Sequence, residues 1–217
     1  MANTNDIQTL LTKLLPEKTA AHYSAMLPQG TILLPEEKLH TQGMVSKRLN
    51  EFTHGRYCAR TAMSMLGMSP EPVGKGDNRE PLWPTRIVGS ITHTSNAAAS
   101  VIASSRDFRS LGLDMETPEP LKDELIDMIC LPEENPERDG SRAKLLFSIK
   151  EAIYKCLHPE VGEYIDFLEM HVELDASKNS FCAGHLTKAK YMDLAAQMKG
   201  RFTIHEEYVL SAAWLRP

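Results

Sequence analysis

Apolar and polar positions repeat with different periods along this 217-residue chain. IQTLLTKLL (7–15) has the spacing of a short amphipathic helix, which Pro16 ends. TILLP (31–35) reads as a strand. From Glu36 through Leu66 the spacing is helical, with a break near Gly43 and with Gly67 placed as a C-cap. SPEPVGKGDNREPLWP (69–84) is dense in Pro and Gly, which predicts tight turns with room for a short strand. In IVGSITHTSNAAASVIAS (87–104), SITH reads as a strand end, and AAASVIA as a second strand or a short helix. SLGLDME (110–116) reads as a strand, LKDELIDMICL (121–131) as a helical stretch and EENPERDGS (133–141) as a polar loop. RAKLLFSIKEAIYKCL (142–157) is the clearest helix, carrying apolar residues at Leu145, Leu146, Ile149, Ile153 and Leu157, with His158 and Pro159 as its end.

The last third alternates with the period of strands: FLEMHVELD (167–175), SFCAGHL (180–186), RFTIHEE (201–207) and YVLSAAWL (208–215). A helical piece or a short hairpin turn, KAKYMDLAAQM (188–198), interrupts them. The short connections favour antiparallel pairing, so the fold class is α+β. A change of half near residues 104–110 gives two units of about 105 residues each. No internal repeat is visible.

Composition narrows the classes. Hydrophobic residues make up 42% and charged residues 24%, which is ordinary for a soluble globular protein. A net charge of -5 gives no global support for nucleic-acid binding, while leaving room for a local basic pocket. None of the four cysteines, Cys58, Cys130, Cys156 and Cys182, forms a C-x-x-C pair, which argues against zinc and for reduced thiols in a cytoplasmic protein. The start MANTNDIQTLLTKLLP lacks a basic region and a long apolar run, so no secretory signal is expected there. No stretch approaches the roughly 18–20 apolar residues of a membrane span.

Four features carry candidate chemistry. Asp114 and Glu116 are one residue apart on a strand, so both face the same way. Two such carboxylates raise each other's pKa unless a cation lies between them, and Mg²⁺ suits an all-oxygen site. Glu151 and Lys155 are four apart on a helix and share a face. As a surface ion pair they are worth only about 0.3–0.5 kcal/mol, but their neighbours are apolar. Ser90 and His93 lie among small residues at a strand end, where a ligand can come close to the backbone. Lys47, Arg48, Arg56, Arg60, Lys75 and Arg79 form a basic group in the first half, and Arg suits bidentate phosphate recognition. Taken singly, each has an ordinary structural explanation: a solvated strand end, a surface salt bridge, a capping histidine, a charged helix face. Together they describe phosphoryl chemistry on a phosphate-rich ligand.

The combination resembles the 4'-phosphopantetheinyl transferase superfamily in its two-lobed type. GLDME (112–116) matches that family's G-x-D-x-E motif, and FSIKEAIYK (147–155) its [WF]-[ST]-x-K-E-[AS]-x-x-K motif. GRYCARTAM (55–63), NREPLWP (78–84) and GSITHT (89–94) look like the subgroup typified by the enterobactin synthase transferase. The resemblance spans roughly residues 44–157.

The resemblance implies an α+β fold of two pseudo-symmetric lobes, each with an antiparallel sheet packed on helices. The lobes would be residues 1–108 and 109–217, with the active site between them. It implies transfer of the 4'-phosphopantetheine arm of coenzyme A to a serine of an apo carrier protein, releasing adenosine 3',5'-bisphosphate. Asp114, Glu116 and Glu151 match the Mg²⁺ ligands, with Mn²⁺ acceptable. Glu151 is also the candidate base, directly or through water. Lys155 matches the lysine on the leaving phosphate. Ser90, His93, Arg48, Arg56 and Lys75 match coenzyme A phosphate and nucleotide contacts. Residues 121–144, including Leu125, Met128, Ile129, Leu131, Arg138, Arg142 and Lys144, match the carrier-docking stretch, although several Asp and Glu there speak against purely electrostatic docking. A cytoplasmic monomer serving nonribosomal peptide, siderophore or polyketide synthesis is expected. Two rivals remain open: a Mg²⁺-dependent phosphohydrolase acting on a coenzyme A-like nucleotide, and a non-enzymatic protein that binds coenzyme A or a carrier.

Overall fold

A computed structural model of the chain describes residues 4–186 and 191–217. It divides into two compact units, Met1–Phe108 and Arg109–Pro217.

The N-terminal unit opens with helix α1 (Thr4–Leu14), which buries Ile7, Leu11 and Leu14, the i, i+4, i+7 set read from the sequence. Strand β1 (Thr19–Ser24) follows. TILLP does not form a strand. Leu33 is buried and Ile32 is 70% exposed, so a single side chain reaches the core. Leu34 instead caps the one-turn helix α2 (Pro35–Lys38), its N–H donating to Glu37 Oε2, with Pro35 at the first helical position. Helix α3 (Ser46–Met65) takes up the long helical stretch. Gly67 adopts φ +76° just beyond it, and the Met68 N–H returns to the Met63 carbonyl, closing the helix end.

Residues 69–84 hold only a two-residue ladder, β2 (Gly74–Lys75) with β3 (Pro81–Leu82). Strands β4 (Ile87–His93) and β5 (Ala98–Ser104) complete an antiparallel sheet in the order β1-β5-β4. AAASVIA is thus a strand: it is central, and α3 covers it through a core of Ala59, Ala62, Met63 and Ile102. Small side chains on β5 let the helix lie close.

The C-terminal unit has one five-stranded antiparallel sheet, β6-β10-β9-β8-β7. Its strands are β6 (Ser110–Glu116), β7 (Met170–Asp175), β8 (Ser180–Leu186), β9 (Lys199–Ile204) and β10 (Val209–Leu215). The long helix α5 (Gly140–Val161) packs on it, mainly against β6 and β10, and helix α4 (Asp123–Ile129) packs on α5. The strand pattern read at residue 167 begins instead as a 3₁₀ turn, Phe167–Glu169, which Asp166 caps. Helix α6 (Met192–Gln197) carries the helical piece read over 188–198, of which 188–190 lie outside the described residues.

Helix α5 is longer at both ends than its apolar pattern suggests. Asp139 caps its start, accepting from the Ser141 N–H at 2.8 Å. Pro159 falls in the last turn without ending the helix, which stops at the left-handed Gly162, φ +68°. All four cysteines are free, Cys58, Cys130 and Cys156 buried and Cys182 exposed. Burial pushes the Cys58 and Cys156 thiols up to about 12.

Candidate active site

In the C-terminal unit, strand β6 and helix α5 meet at Gly112. A Cβ at this position would lie 1.9 Å from the Ala152 carbonyl oxygen and 2.8 Å from the Cys156 amide nitrogen. The two backbones therefore touch, which only glycine permits. Two residues further along β6 is Asp114, and flanking Ala152 on α5 is Glu151. The closest approach of strand and helix is thus what gathers the carboxylates. Across the sheet, Asp114 pairs with Ser211 and Glu116 with Val209. Ser211 is itself tied to α5, its Oγ accepting from Ser148 Oγ at 3.0 Å.

Asp114 is 3% exposed, and its Oδ1 accepts from Lys155 Nζ at 2.6 Å. The same ammonium is 3.7 Å from Glu151 Oε2. Glu116 Oε2 accepts from Lys144 Nζ at 3.3 Å. The structure thus joins Asp114, Lys155 and Glu151, and sets Glu116 two residues along β6 with Lys144 as its partner. Burial raises the Glu116 carboxyl first and the Asp114 charge second, against the pull of Lys144. Burial likewise raises Glu151, with Asp114 adding to it and Lys155 opposing. Burial would lower the Lys155 ammonium, but Asp114 and Glu151 outweigh that and hold it above the usual lysine range.

Among the described residues, no three His, Cys, Asp or Glu side chains stand close enough together to hold a metal ion as they are. The donor set is nevertheless all carboxylate oxygen, which suits Mg²⁺ or Mn²⁺ rather than zinc. A cation already lies among these groups, the Lys155 ammonium, so the residues fit a positive charge.

The N-terminal unit holds the other expected residues. Arg48 Nη1 lies 3.1 Å from His93 Nε2 and 3.3 Å from Glu51 Oε2. A guanidinium can only donate, so His93 Nε2 accepts and its ring proton is on Nδ1. His93 lines a cavity of about 480 Å³ with Lys47, Asn50, Glu51 and His54, closed on another side by Ala25–Leu27. Ser90 is 3% exposed in β4, three residues before His93, so its side chain lies on the opposite face of the strand and the structure does not bring the two together. Arg56 is buried, and burial lowers its pKa to about 10. Its Nε and Nη2 donate to the carbonyls of Val73 and Gly74, at 3.0 and 2.6 Å. The guanidinium thereby braces the ladder that carries Lys75. Arg60 is committed elsewhere, to Glu37 and the Ile32 carbonyl.

One participant, Lys144, is not evident from the sequence. Lys144 falls in the stretch that the resemblance assigns to carrier docking, yet its ammonium meets Glu116. Its spacing of seven from Glu151 on one helix is the signal that points to it. Within the same stretch Ile129 is core rather than surface, whereas Met128 is 62% exposed and Leu125 37%.

Known proteins carry the same arrangement of sequence. Residues 35–103 match the family model of the 4'-phosphopantetheinyl transferase N-terminal domain, and residues 110–213 that of the 4'-phosphopantetheinyl transferase superfamily. The 4'-phosphopantetheinyl transferase Svp of Streptomyces mobaraensis is 34% identical over 195 residues, covering 84% of this chain and 78% of its own. PptT of Mycobacterium tuberculosis is 31% identical, covering 85% and 87%. Enterobactin synthase component D of Salmonella typhimurium is 34% identical, but over only 53% of this chain and 50% of its own. The likeness to the enterobactin enzymes is therefore partial. The two matched segments run through α3, the Lys75 ladder and β4 in one unit and through β6 and α5 in the other, and on these grounds the chain belongs to the 4'-phosphopantetheinyl transferase superfamily.

Proposed function

We propose that this chain moves the 4'-phosphopantetheine arm of coenzyme A onto a serine of an apo carrier protein through the residues described above. The serine oxygen attacks the β-phosphate, its bond to phosphorus forms as the bond to adenosine 3',5'-bisphosphate breaks, and the serine proton passes to Glu151, directly or through one water. Lys155, positive over the whole physiological range, sits at the leaving phosphate and takes up its developing charge. Asp114, Glu116 and Glu151 would hold Mg²⁺ or Mn²⁺. Bound there, the ion supplies charge neutralisation to the pyrophosphate. Arg48 and His93, with Lys75, hold the nucleotide end, and Arg56 acts by fixing the Lys75 ladder.

One observation carries the reading: Lys155 joins the two motif halves, 2.6 Å from Asp114 and 3.7 Å from Glu151. No helix among the described residues is long and apolar enough to cross a membrane. A cytoplasmic monomer modifying carriers of nonribosomal peptide, siderophore or polyketide assembly fits the family. The test is mass spectrometry of an apo carrier incubated with coenzyme A, Mg²⁺ and the protein. The carrier gains one phosphopantetheine with the wild type, and Glu151→Gln lowers the rate by about 10²–10⁴-fold while the fold is kept. Cleavage of coenzyme A with no carrier gain would instead establish the phosphohydrolase reading.

A further inference from the structure

Lys150 lies next to Glu151 in the matched motif, yet its side chain is fully buried, as is that of Glu134. All three of its ammonium protons are engaged: with Glu134 Oε2 at 2.6 Å, the Ile129 carbonyl at 2.8 Å and the Phe167 carbonyl at 2.9 Å. None is left for a phosphate or a catalytic carboxylate. Glu134 is just as fully used. Its Oε2 also accepts from the Leu131 N–H at 2.8 Å, and its Oε1 from the Val172 N–H at 2.7 Å. Its carbonyl accepts from Arg142 Nε at 2.5 Å.

A buried ion pair contributes little net stability compared with an apolar pair of the same volume. What an apolar pair lacks is the ability to hold four separate backbone groups at once. This pair holds the end of α4, the connection 131–134, the 3₁₀ turn at Phe167 and the start of β7, all against the middle of α5. The turn carries the Phe167 ring onto Phe147, ring centres 5.4 Å apart, one turn before Glu151 on α5. Helix α4, held at its end through Ile129, presents the exposed Met128 and Leu125. The Asp114–Lys155 contact, by contrast, rests on the packing of β6 against α5 and involves neither Lys150 nor Glu134.

We propose that Lys150 is a positioning residue which, with Glu134, fixes α4 and the 3₁₀ turn against α5, so that the Leu125–Met128 surface receives the carrier protein at a set distance from Glu151. The carrier part of this rests on the transferase reading above. Two variants of the full chain, Lys150→Met and Lys150→Met with Glu134→Leu, test it by segment-resolved hydrogen exchange and by steady-state transfer kinetics. In both, protection falls at least about tenfold at the Leu131 and Val172 amides and their neighbours, with 110–116 and 145–157 unchanged. The apparent KM for the carrier rises about tenfold or more, while kcat and the KM for coenzyme A stay within about threefold. The double variant recovers only part of the melting temperature, because no unpaired carboxylate is left buried while four backbone groups still lack their partners, and it does not recover the carrier KM. A carrier KM within twofold of wild type in a folded variant would overturn the proposal, as would a parallel loss in coenzyme A KM and kcat. If the wild type transfers no arm at all, the transferase reading falls. Hydrogen exchange then decides the positioning role alone, a loss of protection spread over the whole unit counting against it.

Discussion

Glu116 and Glu151 hold their protons more tightly than ordinary glutamates, mainly through burial and then through the Asp114 charge. A carboxyl whose folded pKa is raised stabilises the fold below its ordinary value, and that contribution disappears as pH rises through the raised one. In metal-free protein, Glu116→Gln, neutral at every pH, should therefore raise the melting temperature near pH 7 and lose that advantage near pH 4. Thermal denaturation with chelator at the two pH values checks this, and an equal shift at both would contradict it. Protons compete with a divalent ion for the same oxygens, so the Mg²⁺ concentration that half-saturates transfer should increase as pH falls toward 5.5. Burial is what makes these side chains unusual, and it is also what a sequence conceals. The pairing of Asp114 with Glu116 is legible from period-two alternation. That Lys150 is interior while Lys155, five residues on, meets Asp114 is not legible, because both read simply as lysines on a helix.

At the scale of elements, β6 and α5 were readable because each is long and keeps its period, and because their motifs are specific. TILLP imitates a strand because three apolar residues stand in a row, although only Leu33 is buried and Pro35 starts a helix. The end of α5 misled in the opposite sense. Proline is tolerated in a final turn, and the stop is set by the left-handed Gly162. The tightest demand at this scale is the contact at Gly112. Gly112→Ala would place a methyl on the Ala152 carbonyl and force β6 from α5, costing about 1–3 kcal/mol. That corresponds to roughly 2–4 °C of melting temperature per kcal/mol in a chain of this size. Because the same contact sets Asp114 against Glu151, transfer at limiting Mg²⁺ should suffer more than transfer at saturating Mg²⁺. A variant that loses stability with an unchanged Mg²⁺ requirement would separate the two roles.

For the molecule as a whole, the charge balance sets how partners are met. The chain carries a net charge of -5, with 24 Lys and Arg against 29 Asp and Glu. On α4 the exposed Met128 and Leu125 stand beside Asp127, which is already paired with Arg138. Asp123 and Glu124 in the first turn leave the helix net acidic, so the docking proposed there depends on apolar contact rather than on basic charge. Surface charge attraction fades as the screening length falls from about 10 Å at 0.1 M salt to about 3 Å at 1 M. The carrier KM should accordingly change less than about threefold across that range, whereas the KM for coenzyme A, whose contacts the proposal assigns to Arg48 and Lys75, should rise. Initial-rate measurements in the two substrates distinguish these responses, and a steep rise of carrier KM with salt would show docking to be electrostatic.

The burial of three of the four thiols has a practical side. Cys58 and Cys156, with thiols near pH 12, and the enclosed Cys130 are shielded from reagents, while Cys182 stands exposed on β8 beside Glu173. Native protein should thus take up a single equivalent of a maleimide dye, and denatured protein four, as intact mass would record. The natural sequence then already supplies a one-site optical label on the C-terminal sheet, with no cysteine to be engineered in or out.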